Sequence, residues 1–252
     1  AVLGSRDNPK VKRWRKLAAD PRYRRAEKRA LIEGPHLLAA ALERGIRPIA
    51  VLVTEEAAAK AEIAALLGAK PVLLAKGVFG TIVDADTPQG IAAEIAIPSG
   101  RRDGSTIFLE GVQDPANVGA ILRSAAGFGV ARVVLDRGCA DPWSPKALRA
   151  GMGGHFGLGI EETADLASEI EAFKGTVACT VPRGGIALHA APLERSMAWL
   201  FRAEGRGLSD EIIHRADLRI SIPMAMGTES LNVAAAAAIC LYQSFSRSAA
   251  GS

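Results

Sequence analysis

The sequence predicts an α/β fold built around a parallel sheet. Short apolar runs such as "PIAVLVT" and "ARVVLD" alternate along the chain with longer segments of helical spacing. Strands that alternate with helices favour a parallel sheet covered on both faces. The chain has 252 residues, of which 49% are hydrophobic, so it is long enough for two ordinary domains with separate cores.

The elements before residue 98 predict a small α/β domain. "EGPHLLAAALERG" (residues 33–45) has helical spacing, "PIAVLVT" predicts a strand, "EEAAAKAEIAALLG" a helix, "KPVLLA" a strand, and "PQGIAAEIAI" closes the set. "PSGRRDGS" then clusters Pro, Gly, Ser and charge, a composition typical of a linker. We therefore expect a first domain at residues 1–98, a linker at 99–104 and a second domain at 105–252.

The second domain is expected to begin with the strand "TIFLEGV". A helix from Asn117 to about Phe128, the strand "ARVVLD" and a helix from about Pro145 to Ala150 follow. Next come the helix "ADLASEIEAFKG" and the strands "TVACT", "MAWLF" and "LRISIPM". A long Ala-rich helix from Ser230 onward is the last element.

Composition argues against several classes of protein. The three cysteines lie forty or more positions apart and have no nearby His pair, so neither a disulfide framework nor a zinc site is expected. No apolar run approaches the length of a membrane span, and the start "AVLGSRDNPK" lacks a signal-peptide core. A cytoplasmic protein is expected, or an organellar one whose targeting segment has been removed. GxxxxGK[ST] is missing, and "GFGVAR" puts Arg132 where a dinucleotide fingerprint needs Gly.

Positive charge is concentrated near the start of the chain. "KVKRWRKLAADPRYRRAEKR" holds ten Lys or Arg against Asp20 and Glu27, a sum of +8, whereas the whole chain carries +4. Trp14 and Tyr23 lie among these cations, a mixture suited to phosphate contacts and base stacking. A solvated basic helix is the equally open alternative. The candidate RNA-binding residues are Lys10, Lys12, Arg13, Arg15, Lys16, Arg24 and Arg25.

Three loops that follow predicted strands are where ligands of a parallel sheet are expected. In the first, Asn117 is placed to cap a helix that carries Arg123 nearly two turns further on. The second, "WLFRAEGRGLSDEI", carries Glu204 in a Gly-rich turn, and in the third Ser230 is placed to cap the last helix. A purely structural role is the alternative: Ser230 and Asn232 as helix caps, and His36 and His155 as local hydrogen-bonding groups.

Together these loops resemble the SpoU (TrmH-type) RNA 2′-O-ribose methyltransferases of the SPOUT superfamily. "NVGAILRSAAGFGV" is similar to the first motif of that family, "SPKALRAGMGGHF" to the second and "IPMAMGTESLNVAAAAAICLYQ" to the third. "LIEGPHLLAAALERG" and "DTPQGIAAE" resemble the small RNA substrate-binding domain that often precedes the catalytic one. The resemblance covers most of the chain.

The resemblance implies a C-terminal deep trefoil knot that binds S-adenosylmethionine, a homodimer, and an RNA substrate, rRNA in preference to tRNA. No metal is implied. The residues implied for cofactor binding are Thr180, Arg202, Glu204, Gly205, Ile222, Pro223, Met224 and Leu231. The residues implied for catalysis are Arg123, Asn117, Ser230, Asn232 and Glu204.

Two matters stay open at the sequence level. Arg123 is implied either as a base that a neighbouring phosphate makes competent or as a charged donor that orients the nucleotide and stabilises the alkoxide. The chain also departs from the family, with Arg202 where a Gly usually stands and Gly151 where a Ser usually stands. A non-catalytic RNA-binding paralogue with the same fold is therefore the alternative function.

Overall fold

A computed structural model describes residues 2–68, 70–100, 103–194, 196–202, 210–225 and 230–250. By its internal contacts the chain forms two compact units. The first contains Ala1–Pro98 and Asp141–Phe156, and the second contains Ser99–Ala140 and Gly157–Ser252. The segment of the second motif thus groups with the first unit, which the single linker predicted from the sequence did not anticipate.

The structure contains eleven α-helices, two short 3₁₀ helices and eleven strands within the described residues. The helices are α1 (Pro9–Ala19), α2 (Pro21–Glu27), α3 (Pro35–Glu43), α4 (Glu55–Ala58), α5 (Ala61–Ala64), α6 (Lys76–Phe79), α7 (Pro115–Gly127), α8 (Pro145–Gly151), α9 (Leu166–Glu171), α10 (Asp210–Ile213) and α11 (Val233–Ala250). The strands are β1 (Arg29–Glu33), β2 (Ala50–Thr54), β3 (Val72–Leu74), β4 (Ile91–Ala96), β5 (Thr106–Glu110), β6 (Arg132–Asp136), β7 (Gly159–Thr163), β8 (Val177–Thr180), β9 (Ile186–Ala187), β10 (Ala198–Arg202) and β11 (Leu218–Ser221).

The first unit has a mixed sheet in the order β1-β4-β2-β3. β4 pairs antiparallel with both β1 and β2, and only β2 and β3 are parallel. The expectation of a parallel sheet is therefore wrong for this unit. β1 was missed because its run of apolar residues, Ala30 to Ile32, directly precedes the predicted helix and is too short to show a strand period.

α1 packs on this sheet through one apolar face. Val11, Trp14 and Leu17 are buried at 0%, 2% and 0% exposure, a spacing of three residues that keeps them on one side of the helix. They join a core that includes Leu31, Leu52 and other residues of the sheet. The cations between them consequently occupy the remaining faces of the helix.

The second unit has a parallel sheet of seven strands in the order β7-β6-β5-β10-β8-β11-β9. β10 lies between β5 and β8, and β11 lies between β8 and β9, with all these pairs parallel. Two strands from late in the sequence, β10 and β11, thus lie between strands from earlier in the sequence. Buried clusters cover both faces of the sheet, as predicted for this domain.

Two helix starts differ from the sequence-based prediction. α7 begins at Pro115, and its cap is Asp114, whose side chain accepts a hydrogen bond from the Ala116 N–H. Asn117 is therefore the third helical residue and not the cap. At α11 the cap is Asn232 and not Ser230, since Asn232 Oδ1 accepts from the N–H groups of Ala234 and Ala235.

α11 is the longest helix, with 18 residues. Neither it nor any other helix in the described part of the chain combines the length and the apolar character that crossing a membrane requires.

Candidate active site at the carboxyl edge of the second sheet

The strands of the second sheet end together at one edge because they are all parallel. Glu110 ends β5, Thr180 ends β8, Arg202 ends β10 and Ser221 ends β11. Four adjacent strands therefore place polar residues at the edge where ligands of parallel sheets bind. The first motif begins at Asn117 in α7, the helix after β5, and the third begins directly after β11.

A hydrogen bond joins the first motif to the third. Asn232 Nδ2 donates to Asn117 Oδ1 at 3.0 Å, across 115 positions of sequence. Because Asn232 also caps α11, its side chain links the first turn of that helix to the first turn of α7. The structure thus brings together two of the residues that the sequence predicted to be catalytic.

Arg123 lies further along α7 with its side chain exposed. It is six positions after Asn117, about 9 Å along the helix axis and about 120° around it, so the two side chains leave from different faces. Arg123 has no hydrogen-bond or ion-pair partner among the residues that the structure describes. An exposed, uncommitted guanidinium can bind a phosphate or orient a hydroxyl in a ligand.

Arg202 is paired across the strand ends with a residue that the sequence analysis did not select. Arg202 and Glu110 are directly opposite in the register of β10 and β5, and their Nη1 and Oε2 atoms are 3.5 Å apart. Both side chains are largely buried, at 21% and 15% exposure. Both residues end a strand, but no local sequence pattern indicates that β10 lies beside β5. Glu204 and Gly205 lie outside the described residues.

The chain after β11 offers backbone groups and apolar surface. Residues 222–225 belong to no helix or strand, so they lie outside the hydrogen-bond ladder of the sheet. Ile222 packs against the core, Met224 and Leu231 are half-buried, and Pro223 and Ser230 are exposed. Thr180, at the end of β8, is half-buried as well.

The structure separates Arg24 from the exposed cations of the first unit. Arg24 is 3% exposed, and its Nε donates to Asp141 Oδ2 at 2.7 Å. Its Nη1 donates to the backbone oxygens of Leu17 and Ala18 at 2.5 and 2.9 Å. The sequence-based expectation that Arg24 contacts RNA is not supported, because its donors already hold α1 and the Asp141 segment.

Arg13 and Trp14 also have internal partners. Both donate to the buried carboxylate of Glu94, which is 1% exposed and accepts from Arg29 as well. Burial alone would raise the pKa of Glu94, but hydrogen bonds from Arg13, Arg29 and Trp14 outweigh burial and hold that pKa below its usual value. Trp14 is therefore a core residue and not a platform for base stacking.

The second motif contributes structure within the first unit. Arg149 Nη2 donates to Asp84 Oδ2 at 2.9 Å. His155 is fully buried and bonds the Pro142 oxygen through Nε2 at 2.7 Å, and burial lowers the pKa of its imidazole to about 4. His155 is thus neutral at physiological pH and acts as a local hydrogen-bonding group, in agreement with the structural alternative.

Comparison with known proteins decides the family. The model of the SpoU rRNA Methylase family matches residues 104–242, more than half of the chain. The chain belongs to the SpoU rRNA methylase family. A second model, that of the MRM3-like substrate binding domain, matches residues 8–93.

Relatives of the chain extend over almost its whole length. The chain is 31% identical over 244 residues to the 23S rRNA (guanosine(2553)-2′-O)-methyltransferase RlmP of Bacillus subtilis, covering 95% of this chain and 97% of that protein. A candidate RNA methyltransferase of the TrmH family from Porphyromonas gingivalis has the same fold, with a TM-score of 0.83, 30% identity and coverage of 98% and 100%. An AdoMet-bound rRNA methyltransferase from Sinorhizobium meliloti matches with a TM-score of 0.80, 25% identity and 98% coverage of both chains.

SpoU methyltransferases depend on S-adenosylmethionine, and the described residues of the edge fit that cofactor. Ile222, Met224 and Leu231 are partly buried apolar residues, the kind of side chain that an adenine ring would pack against. The backbone N–H and C=O groups of residues 222–225 lie outside the sheet ladder and suit the polar edge of that ring. When bound, the cofactor supplies an electrophilic methyl group.

Proposed function

We propose that this chain transfers a methyl group from S-adenosylmethionine to a ribose 2′-hydroxyl of ribosomal RNA. The observation that carries the proposal is the hydrogen bond from Asn232 to Asn117, which unites the first and third motifs at the edge of the sheet. The 23S rRNA named for the Bacillus subtilis relative favours rRNA over tRNA as the substrate.

Methyl transfer to a hydroxyl needs an in-line approach and an acceptor for the hydroxyl proton. Asn117 and Asn232 orient each other, so their remaining amide atoms meet the ribose from fixed positions. Arg123 brings an exposed positive charge to the nucleotide. That charge binds the neighbouring phosphate and stabilises the alkoxide, and the hydroxyl proton passes to solvent water. Ser230 and Glu204 complete the proposed catalytic set.

The proposed cofactor site follows the same edge. It comprises Thr180, Arg202, Glu204, Gly205, Ile222, Pro223, Met224 and Leu231. Arg202 stands where the family usually has Gly. Its ion pair with Glu110 supports its inclusion in the proposed site, because the pair directs the guanidinium toward the end of β5. The strand order, with β10 and β11 inserted between earlier strands, supports the trefoil knot implied by the family.

RNA affinity is proposed to come from the first unit, since the match to a substrate binding domain covers residues 8–93. The exposed members of the basic set are Lys10, Lys12, Arg15, Lys16 and Arg25. An enzyme that acts on ribosomal RNA works where that RNA is assembled, which supports a cytoplasmic location.

A homodimer through α11 completes the proposal. Ile239, Tyr242 and Phe245 are 41%, 57% and 48% exposed and repeat every three residues. Phe128, the residue that follows α7, contacts the rings of Tyr242 and Phe245 at 5.9 and 6.0 Å between centroids, which extends this apolar stripe to the end of a second helix. Such a stripe on a surface favours burial against another subunit.

Substitution of Arg123 tests the proposed chemistry. Arg123→Lys keeps the charge and loses the planar fork, and Arg123→Ala loses both. If Arg123 acts in the transition state, single-turnover methylation should fall roughly a hundredfold or more for Ala, with cofactor affinity unchanged. If it only grips phosphate, the loss should disappear at saturating RNA. Full activity of both variants at subsaturating RNA would remove Arg123 from the mechanism.

Calorimetric titration of the full chain with S-adenosylmethionine separates the enzyme from the non-catalytic paralogue. We expect the wild-type chain to release heat on binding. Absence of heat with the wild type, together with recovery in Arg202→Gly, would favour a paralogue that lost cofactor binding at Arg202. If a folded Arg202→Gly variant also fails to bind S-adenosylmethionine, the proposed cofactor site is wrong.

A further inference from the structure

The first unit contains an open groove of about 500 Å³ beside α1. One wall is the last two turns of α1, with Lys12, Arg15 and Lys16, and the other wall is the segment from Thr81 to Asp84. This volume lies within the range of sites that hold small ligands or parts of larger ones. Every residue that lines the groove belongs to the first unit.

The acidic residues of the groove are already committed to internal partners. Asp20 accepts from the backbone N–H groups of Arg22 and Tyr23 as the cap of α2. Asp84 accepts from Arg149 at 2.9 Å. Both carboxylates thus have hydrogen-bond donors within the first unit, and Arg149 also offsets part of the charge of Asp84.

The cations of the groove are less committed. Arg15 has no hydrogen-bond or ion-pair partner among the described residues. The Lys16 ammonium lies over the ring of Tyr23, at 5.6 Å from the centroid, and the pair formed by Lys12 with Asp7 is exposed at 56% and 89%. Exposed pairs of this kind contribute little free energy and exchange readily. The uncommitted charge of the groove is therefore positive.

α1 holds these cations in a fixed arrangement. Trp14 and Leu17 bury one face of the helix, the Glu94 cluster fixes its middle, and Arg24 binds its last carbonyls. A wall fixed in this way loses less conformational entropy on binding than a flexible basic tail would. This fits a site that positions a ligand as well as attracting it.

We propose that this groove binds the sugar–phosphate backbone of the RNA substrate, with Lys12, Arg15 and Lys16 contacting consecutive phosphates. The inference rests on the proposed function for the identity of the RNA. It goes beyond that function by confining the contact to one wall of α1 and by excluding Arg13 and Arg24. Thr81 and Val83 belong to the opposite wall of the groove. The RNA strand lies against that wall in this proposal.

Removal of charge with a matched control is the first test. The full chain is titrated with an unmodified in vitro transcript of 23S rRNA at several salt concentrations. Lys12→Ala/Arg15→Ala/Lys16→Ala should flatten the log–log salt slope by about two units, at about 0.7 per single-strand contact. Arg44→Ala/Arg47→Ala/Lys60→Ala removes the same charge from exposed positions outside the groove and should change the slope by less than about half a unit.

Addition of charge inside the groove is the second test, because it leaves every cation in place. Ala19 lines the groove at the end of α1, and Ala26 is exposed near the end of α2, outside it. Ala19→Glu should weaken RNA binding about tenfold or more through like-charge repulsion, and Ala26→Glu much less. Both changes fall in a last helical turn, so their effects on folding are matched.

The outcomes separate this inference from the proposed function. Equal effects of the groove and control variants would overturn the inference, even if the wild-type chain methylates RNA. Binding of poly-glutamate with the same dependence on the three cations would also overturn it, because the groove would then accept any polyanion. If the groove variants lose RNA affinity but the wild-type chain does not methylate RNA, the groove is supported and the proposed function is rejected.

Discussion

Asn232 uses both ends of its side chain. Its Oδ1 accepts from the first free N–H groups of α11, and its Nδ2 donates to Asn117. From the sequence alone, capping and catalysis are alternatives for this residue. The structure makes them compatible, since the cap fixes the amide plane and the bridge to α7 uses the remaining donor.

Two substitutions at Asn232 separate these roles. Asn232→Ser should keep the cap, because Ser and Asn are equally good at this position, but its short side chain does not reach Asn117. Its unfolding free energy should stay within about 0.5 kcal/mol of wild type while single-turnover methylation drops roughly tenfold or more. Asn232→Ala should lose about 1 kcal/mol in addition. Wild-type methylation by Asn232→Ser, with denaturant unfolding as the stability measure, would show that the bridge is dispensable.

At the level of elements, α1 shows what the sequence could and could not predict. The spacing of Val11, Trp14 and Leu17 is visible in the sequence and indicates a buried helix face. The partner of Arg13 and Trp14 is Glu94, about eighty positions away, and no local pattern reveals it. The sequence therefore groups Arg13 and Arg24 with the other candidate RNA-binding residues, although both hold the unit together.

The Glu94 cluster predicts a pH dependence for the first unit. The pKa of this carboxylate is lowered from 4.5 on folding, so its stabilising contribution is complete above about pH 4.5 and is lost as pH falls through the lower folded value. Glu94→Gln should cost about 2–3 kcal/mol at pH 7, because Arg13 and Arg29 lose their common partner while remaining partly solvated.

Hydrogen exchange of the α1 amides measures this effect within the unit. Protection in the wild type should weaken over the interval below about pH 4.5, after correction for the intrinsic exchange rate. Protection in Glu94→Gln should be weaker at pH 7 and change less over that interval. Parallel pH profiles for the two proteins would mean that Glu94 is not the titrating group.

The exposed stripe on α11 predicts the assembly state. Ile239→Lys places a charge in the proposed interface, whereas Ile186→Lys is a matched control on β9, where Ile186 is 43% exposed. Sedimentation velocity should show a wild-type dimer, a dimer for Ile186→Lys and a dissociation constant raised at least tenfold for Ile239→Lys. A wild-type monomer at micromolar concentration, or identical behaviour of the two variants, would contradict the dimer.

For the whole molecule, the class of fold followed from the alternation of strands and helices, but the order of the strands did not. β10 lies between β5 and β8 because of contacts made across the sheet, and these leave no local trace in the sequence. The same non-local pairing places Glu110 beside Arg202. Motif spacing, by contrast, located Asn117 and Asn232 correctly at one edge, since each follows a strand of the same parallel sheet.

The central claim is ribose methylation of ribosomal RNA, and the most direct measurement identifies the methylated product. The full chain is incubated with S-adenosylmethionine and an unmodified 23S rRNA transcript, which is then cleaved with alkali and analysed by mass spectrometry. A 2′-O-methyl group removes the hydroxyl that alkali uses to cut the backbone, so the account predicts one resistant dinucleotide that carries an additional methyl group. Arg123→Ala should form that dinucleotide roughly a hundredfold or more slowly. Methylation on a base, or transfer to tRNA and not to this transcript, would contradict the account.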